Sequence, residues 1–575
     1  MGNDDKDLIE NTIEQRADFI PSENLKGETA ENDFFNNIVK DLIKRQTTLI
    51  VGPRGCGKTH MMRYASLLCE EDKTKPYAIY VTFNRYYRLE PMLTSKIDAI
   101  SLFHSWVLAG IIISAHETLV KINPDISHED MTESLNFLEI NSLKSLIGML
   151  EKGVNLTDEE LYVARELSLS GTKNILENMR VLSGRARSIL LLDDAALTLT
   201  PDYMKEFFDI FRTLKSSKLS PKASVYPGTT EYGARFHPTQ EGGVSSVWLS
   251  IEDSSYSETM DIIAQKRVSN FRDISPNIRE YLKYAAFGIP RAYLSMLQDY
   301  QDGGFKSQQQ GLNRIIQSHI GARIEEFKSI TFKSPKLKSL IQCGDNIFDK
   351  ICEDLKKDNE DKQQKNLKQL KIGISGIDSK PHVERMFNLL VEAGLLYELP
   401  EKVSHGGSRD YIRYIPHIAA LFDRKVFMSK GTGTSTLLAL ERLSLPSAKH
   451  PLRRSISTLI TKTQLTNLKF NLPPCGHCGT DRINQSQKFC HNCGSELIDS
   501  SSFEACMSLP LHEIPGLTKW MKSKIKNEIP KFKNIGDFLS SQDPSKDLRE
   551  ADQIGQARAQ KIIILATGFV DDFLQ

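Results

Sequence analysis

The stretch Thr47–Thr59, TTLIVGPRGCGKT, decides the fold of the N-terminal half of the chain. Its run Thr48–Val51 has the composition of a buried strand, and the glycine-rich segment after it leads into the helix-forming sequence HMMRYASLLCEE. A strand, a G-x-x-x-x-G-K-T loop and a helix in this order predict a phosphate-binding loop. We therefore expect an α/β domain with a parallel sheet, a simple glycine turn being the alternative.

The residue types of this loop follow from the chemistry of phosphate binding. Glycines let backbone N–H groups turn toward an anion, and the start of the next helix adds positive potential. The Lys58 ammonium would reach the β- and γ-phosphates, and the Thr59 hydroxyl would ligate Mg²⁺. We therefore expect ATP and Mg²⁺ as cofactors. The expected ligands in the loop are Gly52, Gly55, Gly57, Lys58 and Thr59.

A second element of such a site is an acidic strand end. The segment Ser188–Asp194, SILLLDD, is an apolar run that ends in two carboxylates. Asp193 would hold Mg²⁺ through its water shell, and Asp194 would polarise the attacking water. The alternative is a buried strand ending in a turn, with Asp194 capping the next helix. Because Asp194 is shorter than the Glu usual in fast ATPases of this class, we expect slow hydrolysis.

Further strands are predicted at Tyr77–Phe83, Ala223–Gly228 and Val247–Ile251, which would complete a doubly wound sheet. Thr229 and Thr230 would then follow a strand at the sheet edge where ligands bind, and could sense the γ-phosphate. A Gly-Thr-Thr turn without that role is the alternative. Leucines spaced three and four apart predict a helical insert over residues 84–187.

The segment Ile278–Leu297 reads as two helices around Gly288-Ile-Pro-Arg291. Together, GPRGCGKT, ILLLDDA, a Thr after the next strand and GIPRAYL resemble the AAA+/STAND branch of P-loop ATPases, and origin-recognition ATPases most. The resemblance covers about residues 25–300 and implies an ATPase core with a helical lid. It implies that Arg291 contacts the γ-phosphate, the alternative being an arginine on a helix surface. It also suggests a homo-oligomer, with Arg235 as a candidate arginine finger.

The segment after the lid has the pattern of a winged helix. A helical run in 381–396 stops at Gly394, and VSHGGSRDYIRYI then places a glycine turn between two extended segments. A winged helix follows the lid in the origin-recognition family, so the resemblance supports this interpretation. Arg385 would lie near the start of a recognition helix and Arg409 on the wing, both contacting DNA phosphates. Winged helices also bind proteins, which is the alternative.

Four of the nine cysteines form two CxxC pairs, Cys475/Cys478 and Cys490/Cys493, each followed by glycine. Four thiolates at this spacing fit tetrahedral Zn²⁺ with no open position, so we expect a structural zinc ribbon. A disulfide pair is improbable in a reducing cytoplasm. His477 and His491 lie inside the loops and are expected to be bystanders.

The segment from residue 511 to residue 562 carries two related hairpins, HEIPGLTKWMKSKI and ADQIGQARAQKI. They resemble paired helix-hairpin-helix modules, in which a glycine hairpin and a following basic helix grip a DNA phosphate. The resemblance implies DNA-binding roles for Gly516, Lys519, Gly555, Arg558 and Lys561. The first hairpin departs from the pattern, because Thr518 replaces the second glycine and Met521 the packing alanine. A protein-docking module is the alternative.

Composition limits the class of protein. The 575 residues carry 74 Lys+Arg against 73 Asp+Glu and 40% apolar residues, as an ordinary multidomain globular sequence does. The apolar run Val107–Ile113 is shorter than the ~20 residues of a membrane span, and the N-terminus lacks a signal-like apolar segment. We therefore expect a cytoplasmic protein with no membrane contact.

The predicted organisation has seven parts. They are a flexible N-terminus (1–24), an ATPase core (25–255), a helical lid (256–330), a winged-helix domain (331–430), a linker (431–472), a zinc ribbon (473–500) and a helix-hairpin-helix module (507–575).

Two functions fit this organisation. The first is an ATPase that binds DNA through its C-terminal modules under nucleotide control, an architecture also found in prokaryotic antiviral systems and mobile elements. The second is an ATP-gated signalling or oligomerisation switch that docks a protein effector without acting on DNA. DNA binding requires phosphate contacts whose affinity falls steeply with salt, so the C-terminal half distinguishes the two. ATP hydrolysis is the only reaction that the sequence motifs indicate.

Overall fold

A computed structural model describes most of the chain from residue 17 to residue 574. It leaves undescribed residues 84–88, 90–91, 93–97, 137, 153–154, 195–200, 231, 234, 379, 401–402, 405–409, 429–434, 470–473, 476, 484–486, 488, 496, 498–505, 515–516, 540 and 542.

The first sheet is five-stranded and parallel throughout, in the order β2-β3-β4-β1-β5. Its strands are β1 (Thr48–Val51), β2 (Tyr77–Thr82), β3 (Ser188–Asp193), β4 (Leu219–Val225) and β5 (Gly243–Ser246). Every residue of β3 is buried, which explains its unbroken apolar run. Strand β1, which leads into the glycine loop, lies between β4 and β5. Later strands therefore lie on both sides of β1, which places a topological switch point beside that loop.

Two strand predictions differ from the structure. The strand predicted at Ala223–Gly228 begins earlier and ends at Val225, because Gly228 adopts a left-handed φ of 78° and turns the chain. The prediction of a strand at Val247–Ile251 is wrong, because strand β5 ends before it, at Ser246. Val247, Trp248 and Leu249 are instead a buried loop, and Trp248 donates its indole N–H to the carbonyl of Phe287 at 2.8 Å.

Nine helices lie in the described part of residues 22–214, and they pack on the two faces of this sheet or on one another. They are α1 (Ser22–Leu25), α2 (Asp33–Ile43), α3 (Lys58–Glu71), α4 (Ala99–Ile122), α5 (His128–Ser134), α6 (Ile140–Lys152), α7 (Asp158–Glu166), α8 (Leu169–Leu182) and α9 (Pro201–Leu214). Alternate strand residues point to opposite faces, so Ile189 and Leu191 pack with α2 and α3, whereas Leu190 and Leu192 pack with α4 and α9. The short α10 (Pro238–Glu241) precedes β5.

Helices α4–α8 lie in the segment predicted as a helical insert. Helix α4 is long and apolar enough to span a membrane by length and composition, but 61% of its most apolar 18-residue segment is buried within the fold. It contacts β2, α6, α8 and α9. Helix α4 is thus buried like the core helix of a soluble protein.

The lid and a second sheet follow. The helices are α11 (Tyr256–Arg267), α12 (Pro276–Ala285), α13 (Pro290–Asp302), α14 (Gln308–Lys333), α15 (Lys338–Gln363), α16 (Pro381–Glu392) and α17 (Ile418–Asp423). The strands are β6 (Ile372–Ser375), β7 (Leu396–Glu398), β8 (Val403–Ser404), β9 (Asp410–Pro416) and β10 (Leu452–Ser455). Their order is β10-β6-β9-β7, and β8 also pairs with β9. The predicted helix, glycine stop and antiparallel strands are present, with Gly394 at a φ of 70°.

The described residues 435–469 of the segment predicted as a linker (431–472) are built into this second body. They contain α18 (Thr436–Ser444), β10, α19 (Ile456–Leu459) and α20 (Lys462–Asn467). Strand β10 pairs in parallel with β6, and Ala439, Leu443 and Leu468 are buried. One apolar core runs from α2 and α3 through the lid to this sheet. The ATPase sheet, lid and second sheet therefore pack as one continuous unit.

The C-terminal segment has a core of its own, from Cys506 to Val570. A 3-10 turn (Leu511–Glu513) precedes α21 (Lys519–Glu528), α22 (Ile535–Leu539), α23 (Pro544–Leu548) and α24 (Gln556–Leu574). The first predicted hairpin falls at the 3-10 turn and α21, with residues 515–516 outside the described part, and the second falls between α23 and α24 and at the start of α24. Ala559 and Met521 are both buried in this core.

Candidate functional site

The glycine loop joins β1 to α3 in the predicted order. Gly55 and Gly57 have left-handed φ values of 83° and 91°, which favour glycine, and Gly57 is the N-cap of α3. Gly52 is needed for space, because a Cβ there would lie 2.6 Å from the Cγ2 of Val247. The sequence thus sets a loop whose backbone turns tightly before the positive end of a helix.

Lys58 begins α3 and is buried against the loop. Its Nζ donates to the carbonyl oxygens of Gly52, at 2.6 Å, and Pro53, at 3.2 Å. The Nζ also lies 4.2 Å from the centroid of the Tyr226 ring. Burial lowers the pKa of the Lys58 ammonium to about 8. The cation is therefore held inside the loop by carbonyl oxygens and an aromatic face.

The two acidic residues at the end of β3 have different surroundings. Asp193 is fully buried, and its two carboxylate oxygens accept from the Ser224 hydroxyl at 2.6 Å and the Tyr80 hydroxyl at 2.9 Å. Asp194 has a left-handed φ of 52°, rare for a residue with a side chain, and lines the cavity beside the loop. The turn thus separates a buried carboxylate from one that faces the cavity.

This cavity lies between the glycine loop, the N-terminal segment and the lid. Its polar end is lined by Arg54, Gly55, Lys58, Thr59, Asp194, Tyr226 and Arg291. Its apolar wall is formed by Phe34, Phe35, Met260, Ile263 and Leu294. At its rim, the Arg267 guanidinium pairs with Glu28 at 2.9 Å. A cationic end beside an aromatic and aliphatic wall suits a nucleotide, with its phosphates at the cationic end and its base against the wall.

The lid meets the loop through the Gly-Ile-Pro-Arg turn. The backbone N–H of Arg291 donates to the carbonyl of Gly55 at 3.3 Å, and the Arg291 side chain lines the cavity. Gly288 has a φ of 77°, and a Cβ there would lie 2.1 Å from the carbonyl oxygen of Leu249. This glycine allows the lid turn to approach the loop closely.

The structure does not place the predicted threonines in the cavity lining. The Thr229 hydroxyl is buried, with no hydrogen-bond partner among the described residues. The Thr230 hydroxyl donates to the backbone carbonyl of Tyr226 at 2.8 Å. Tyr226, which the sequence reasoning missed, lines the cavity after β4 instead. The signal that could have found it is its position directly after the strand that Val225 ends.

Helix α16, the predicted recognition helix, contacts the turn that follows β4 in the first sheet. The Arg385 guanidinium donates to the carbonyl of Thr229 at 3.3 Å. A Cβ on Gly228 would lie 3.0 Å from the carbonyl oxygen of Asn388. The other predicted contact, Arg409, lies outside the described residues. Arg385 is thus partly buried within the protein.

The four CxxC cysteines come together, with their Sγ atoms all within 4.8 Å of one another. Sγ–Sγ distances are 3.5 Å for Cys475–Cys493 and for Cys478–Cys490. A tetrahedral zinc site with Zn–S bonds of ~2.3 Å needs sulfur separations near ~3.8 Å, so the donor set fits Zn²⁺. Hydrogen bonding to Thr480 lowers the pKa of the Cys478 thiol to about 5.

The two halves of the cysteine cluster repeat one backbone pattern. Gly479 and Gly494 have left-handed φ values of 70° and 73°. Their N–H groups donate to the carbonyls of Cys475, at 2.8 Å, and Cys490, at 2.9 Å. His477 and His491 are exposed and do not belong to the cluster found among the described residues. The cluster is compatible with a closed zinc site.

The C-terminal candidates are described in part. Gly516 and the side chain of Lys519 lie outside the described residues. Gly555 is exposed at the second hairpin, and a Cβ there would meet no atom within 4 Å. The Arg558 guanidinium lies 4.8 Å from the Trp520 ring centroid and donates to the carbonyl of Gln553 at 2.7 Å. Lys561 is exposed on the same helix.

Comparison with known proteins agrees with this geometry. The ORC-CDC6-like family model matches residues 17–159, which include the glycine loop and end before the acidic strand. No curated protein matches the chain. The matched segment and the parallel five-stranded sheet together support an ATP-binding, origin-recognition-type AAA+ core in residues that are similar to the ORC-CDC6-like family.

Proposed function

We propose that this protein binds and slowly hydrolyses ATP, and that nucleotide state controls DNA binding by its C-terminal modules. The observation that carries the proposal is the cavity in which Lys58, Thr59, Asp194 and Arg291 meet beside an apolar wall. These groups come from the loop, the acidic strand and the lid, as nucleotide hydrolysis requires.

Each residue then has a chemical role. The ammonium of Lys58 would leave the loop carbonyls to bind the β- and γ-phosphates, while Thr59 would ligate Mg²⁺ and Asp193 would hold it through a bound water. Asp194 orients the attacking water, and Arg291 stabilises charge on the γ-phosphate. Mg²⁺, when bound, neutralises negative charge on the phosphates. Tyr226, next to Lys58, lines the cavity in which the sequence analysis expected Thr229 and Thr230.

The cysteine cluster is proposed to hold one structural Zn²⁺. Four thiol ligands leave no position for water, so the ion would stabilise the ribbon rather than take part in a reaction. The ribbon would connect the ATPase unit to the C-terminal module.

DNA binding is assigned to the C-terminal module. It has its own core, and Gly555 and Lys561 are exposed at the second hairpin. Backbone N–H groups of such a hairpin and a lysine beside it can contact one phosphate without reading the base. Helix α16 is less suited to DNA because Arg385 already contacts Thr229.

The second candidate function is an ATP-gated switch that docks a protein effector. The continuous core from α3 to the second sheet favours it, because a change at the nucleotide can reach the second sheet through packed side chains. Homo-oligomerisation belongs to either function. Arg235, whose side chain is 76% exposed, is the candidate arginine finger for a neighbouring subunit. A cytoplasmic role in antiviral defence or a mobile element is proposed from the resemblance alone.

The test is ATP hydrolysis by the full chain, with and without duplex or single-stranded DNA, at low and moderate salt. DNA stimulation that fades with salt supports the DNA-binding ATPase, because phosphate contacts release counterions. A slow rate indifferent to DNA at both salt concentrations supports the switch. Absence of both ATP binding and hydrolysis would overturn the nucleotide assignment.

A further inference from the structure

The acidic pair at the end of β3 is held by two residues that none of the motifs contains. The Ser224 hydroxyl, on β4, donates to Asp193 Oδ1 at 2.6 Å and accepts the backbone N–H of Asp194 at 2.9 Å. The Tyr80 hydroxyl, on β2, donates to Asp193 Oδ2 at 2.9 Å. The strands on both sides of β3 thus each supply a hydroxyl to the same carboxylate.

The hydrogen-bonding capacity of these groups makes the arrangement specific. A serine hydroxyl has one proton, and that proton is directed to Asp193 because a backbone N–H can only donate. Each oxygen of Asp193 receives one donor and keeps lone-pair capacity for a water bound to Mg²⁺. Asp193 and Ser224 are both fully buried, so neither can exchange these partners for bulk water.

Ser224 also fixes the backbone of Asp194. That residue has a φ of 52°, a conformation that costs about 1 kcal/mol or more for a residue with a Cβ. The hydrogen bond from its N–H to Ser224 helps to hold the turn, which directs the Asp194 side chain into the cavity. Ser224 therefore links the position of both carboxylates through a single hydroxyl.

We infer that Ser224 and Tyr80 are positioning residues for ATP hydrolysis, which orient the Mg²⁺-binding carboxylate of Asp193 and, through Ser224, the water-orienting carboxylate of Asp194. The inference rests on the proposed ATPase function. Neither residue lines the nucleotide cavity, so each acts through the acidic pair and contributes nothing to the direct binding of ATP.

The chain offers a matched control for each variant. Ser220 lies on the same strand as Ser224 and is also buried, but its hydroxyl donates to the carbonyl of Arg45. Tyr77 lies on the same strand as Tyr80, and its hydroxyl donates to the carbonyl of Ala115. Ser220→Ala and Tyr77→Phe therefore remove a buried hydroxyl of the same kind without touching the acidic pair.

The experiment measures kcat, KM for ATP and the Mg²⁺ concentration for half-maximal rate in the full chain. Loss of a partner in the outer shell of a metal site costs about 10- to 100-fold in activity or metal affinity. We expect Ser224→Ala to lower kcat by about tenfold or more and to raise the Mg²⁺ requirement, with little change in ATP affinity. Tyr80→Phe should raise the Mg²⁺ requirement, and both controls should match the wild type.

The possible outcomes separate this inference from the proposed function. A wild-type chain that hydrolyses ATP, together with Ser224→Ala and Tyr80→Phe variants equal to their controls, would overturn the positioning role alone. Parallel loss of ATP affinity and kcat in both variants would overturn it in favour of a structural role. If Ser224→Ala does not fold, the Mg²⁺ requirement of Tyr80→Phe compared with that of Tyr77→Phe tests the positioning role, and equal requirements would overturn it. A wild-type chain that neither binds nor hydrolyses ATP overturns both proposals.

Discussion

The guanidinium of Arg385 donates a hydrogen bond to the backbone carbonyl of Thr229, at 3.3 Å. Arg385 was predicted to contact DNA and Thr229 to sense a γ-phosphate, and the structure instead joins the two. The turn that contains Thr229 also contacts Asn388 through Gly228, so helix α16 rests on the turn after β4. Helix α16 also contacts β7, so it lies between this turn and the second sheet.

Substitution of Gly228 tests this contact. Gly228→Ala combines a left-handed φ of 78° with a Cβ only 3.0 Å from a backbone oxygen of α16. Gly233→Ala is the control, because its φ is 73° but its Cβ would meet only the Lys205 side chain, at 3.4 Å. Backbone strain should lower the free energy of unfolding of both variants by about 1–2 kcal/mol. The contact with α16 should lower that of Gly228→Ala further. Urea unfolding measures this difference, and equal losses would contradict the packing of α16 on the turn.

Removal of the loop lysine tests the nucleotide site. Lys58→Ala should weaken ATP binding by roughly 2–3 kcal/mol, or about a hundredfold, because charged hydrogen bonds to the phosphates are lost. Lys26→Ala is the control, since Lys26 pairs with Glu71 at the surface. Calorimetric titration with ATP and Mg²⁺ gives both affinities. Undiminished binding and turnover in Lys58→Ala would remove the phosphate-loop assignment.

Metal analysis tests the cysteine cluster. The purified chain should carry about one Zn²⁺, and Cys490→Ser should lose it because a tetrahedral thiolate site needs all four ligands. Cys343→Ala should keep the metal, since Cys343 is buried elsewhere. Cys490→Ser should loosen only the C-terminal region, which limited proteolysis would detect. Loss of ATP binding in the same variant would show that the two regions are not independent.

The salt dependence of DNA affinity tests the C-terminal module. Lys561→Ala should weaken binding to all DNA sequences alike and lower the slope of log affinity against log salt by about one, as loss of one phosphate contact does. Lys533→Ala, which removes an exposed lysine between α21 and α22, should leave the slope unchanged. Fluorescence anisotropy with a labelled duplex at several salt concentrations measures both. Identical slopes for the two variants would argue against this hairpin as the DNA contact.

The buried histidines predict acid sensitivity of the folded state. Burial lowers the pKa of His319 to about 3 and that of His417 well below its usual value. Because the unfolded chain binds protons below about pH 6.5 and the folded chain does not, stability falls as the pH decreases from there. Near pH 5.5 the free energy of unfolding is lower by about 1.4 kcal/mol for each histidine than at neutral pH.

Urea unfolding between pH 7 and pH 5 measures this effect. His417→Asn should reduce the pH slope, because it removes one proton-binding group from the unfolded state while keeping a side-chain oxygen at the start of α17. His128→Asn, at an exposed position, should keep the wild-type slope. A slope in His417→Asn equal to that of the wild type would contradict the assignment.

The local motifs were determined by the sequence alone. The strand, glycine loop and helix from Thr48 to Glu71 form as predicted because their geometry depends on neighbouring residues and on glycine at left-handed positions. The cluster of Cys475, Cys478, Cys490 and Cys493 follows equally from spacing, since each CxxC turn closes on itself. The helix and strands around Gly394 were predictable for the same local reason.

Only the tertiary structure decided which side chains meet at the acidic pair and what α16 packs against. Ser224 and Tyr80 reach Asp193 because β2 and β4 flank β3 in a register that no local pattern specifies. Strand β4 ends at Val225 rather than at Gly228, so Tyr226 and not Thr229 directly follows the strand and lines the cavity. Strand order and register depend on contacts distant in sequence, and those appear only when the chain has packed.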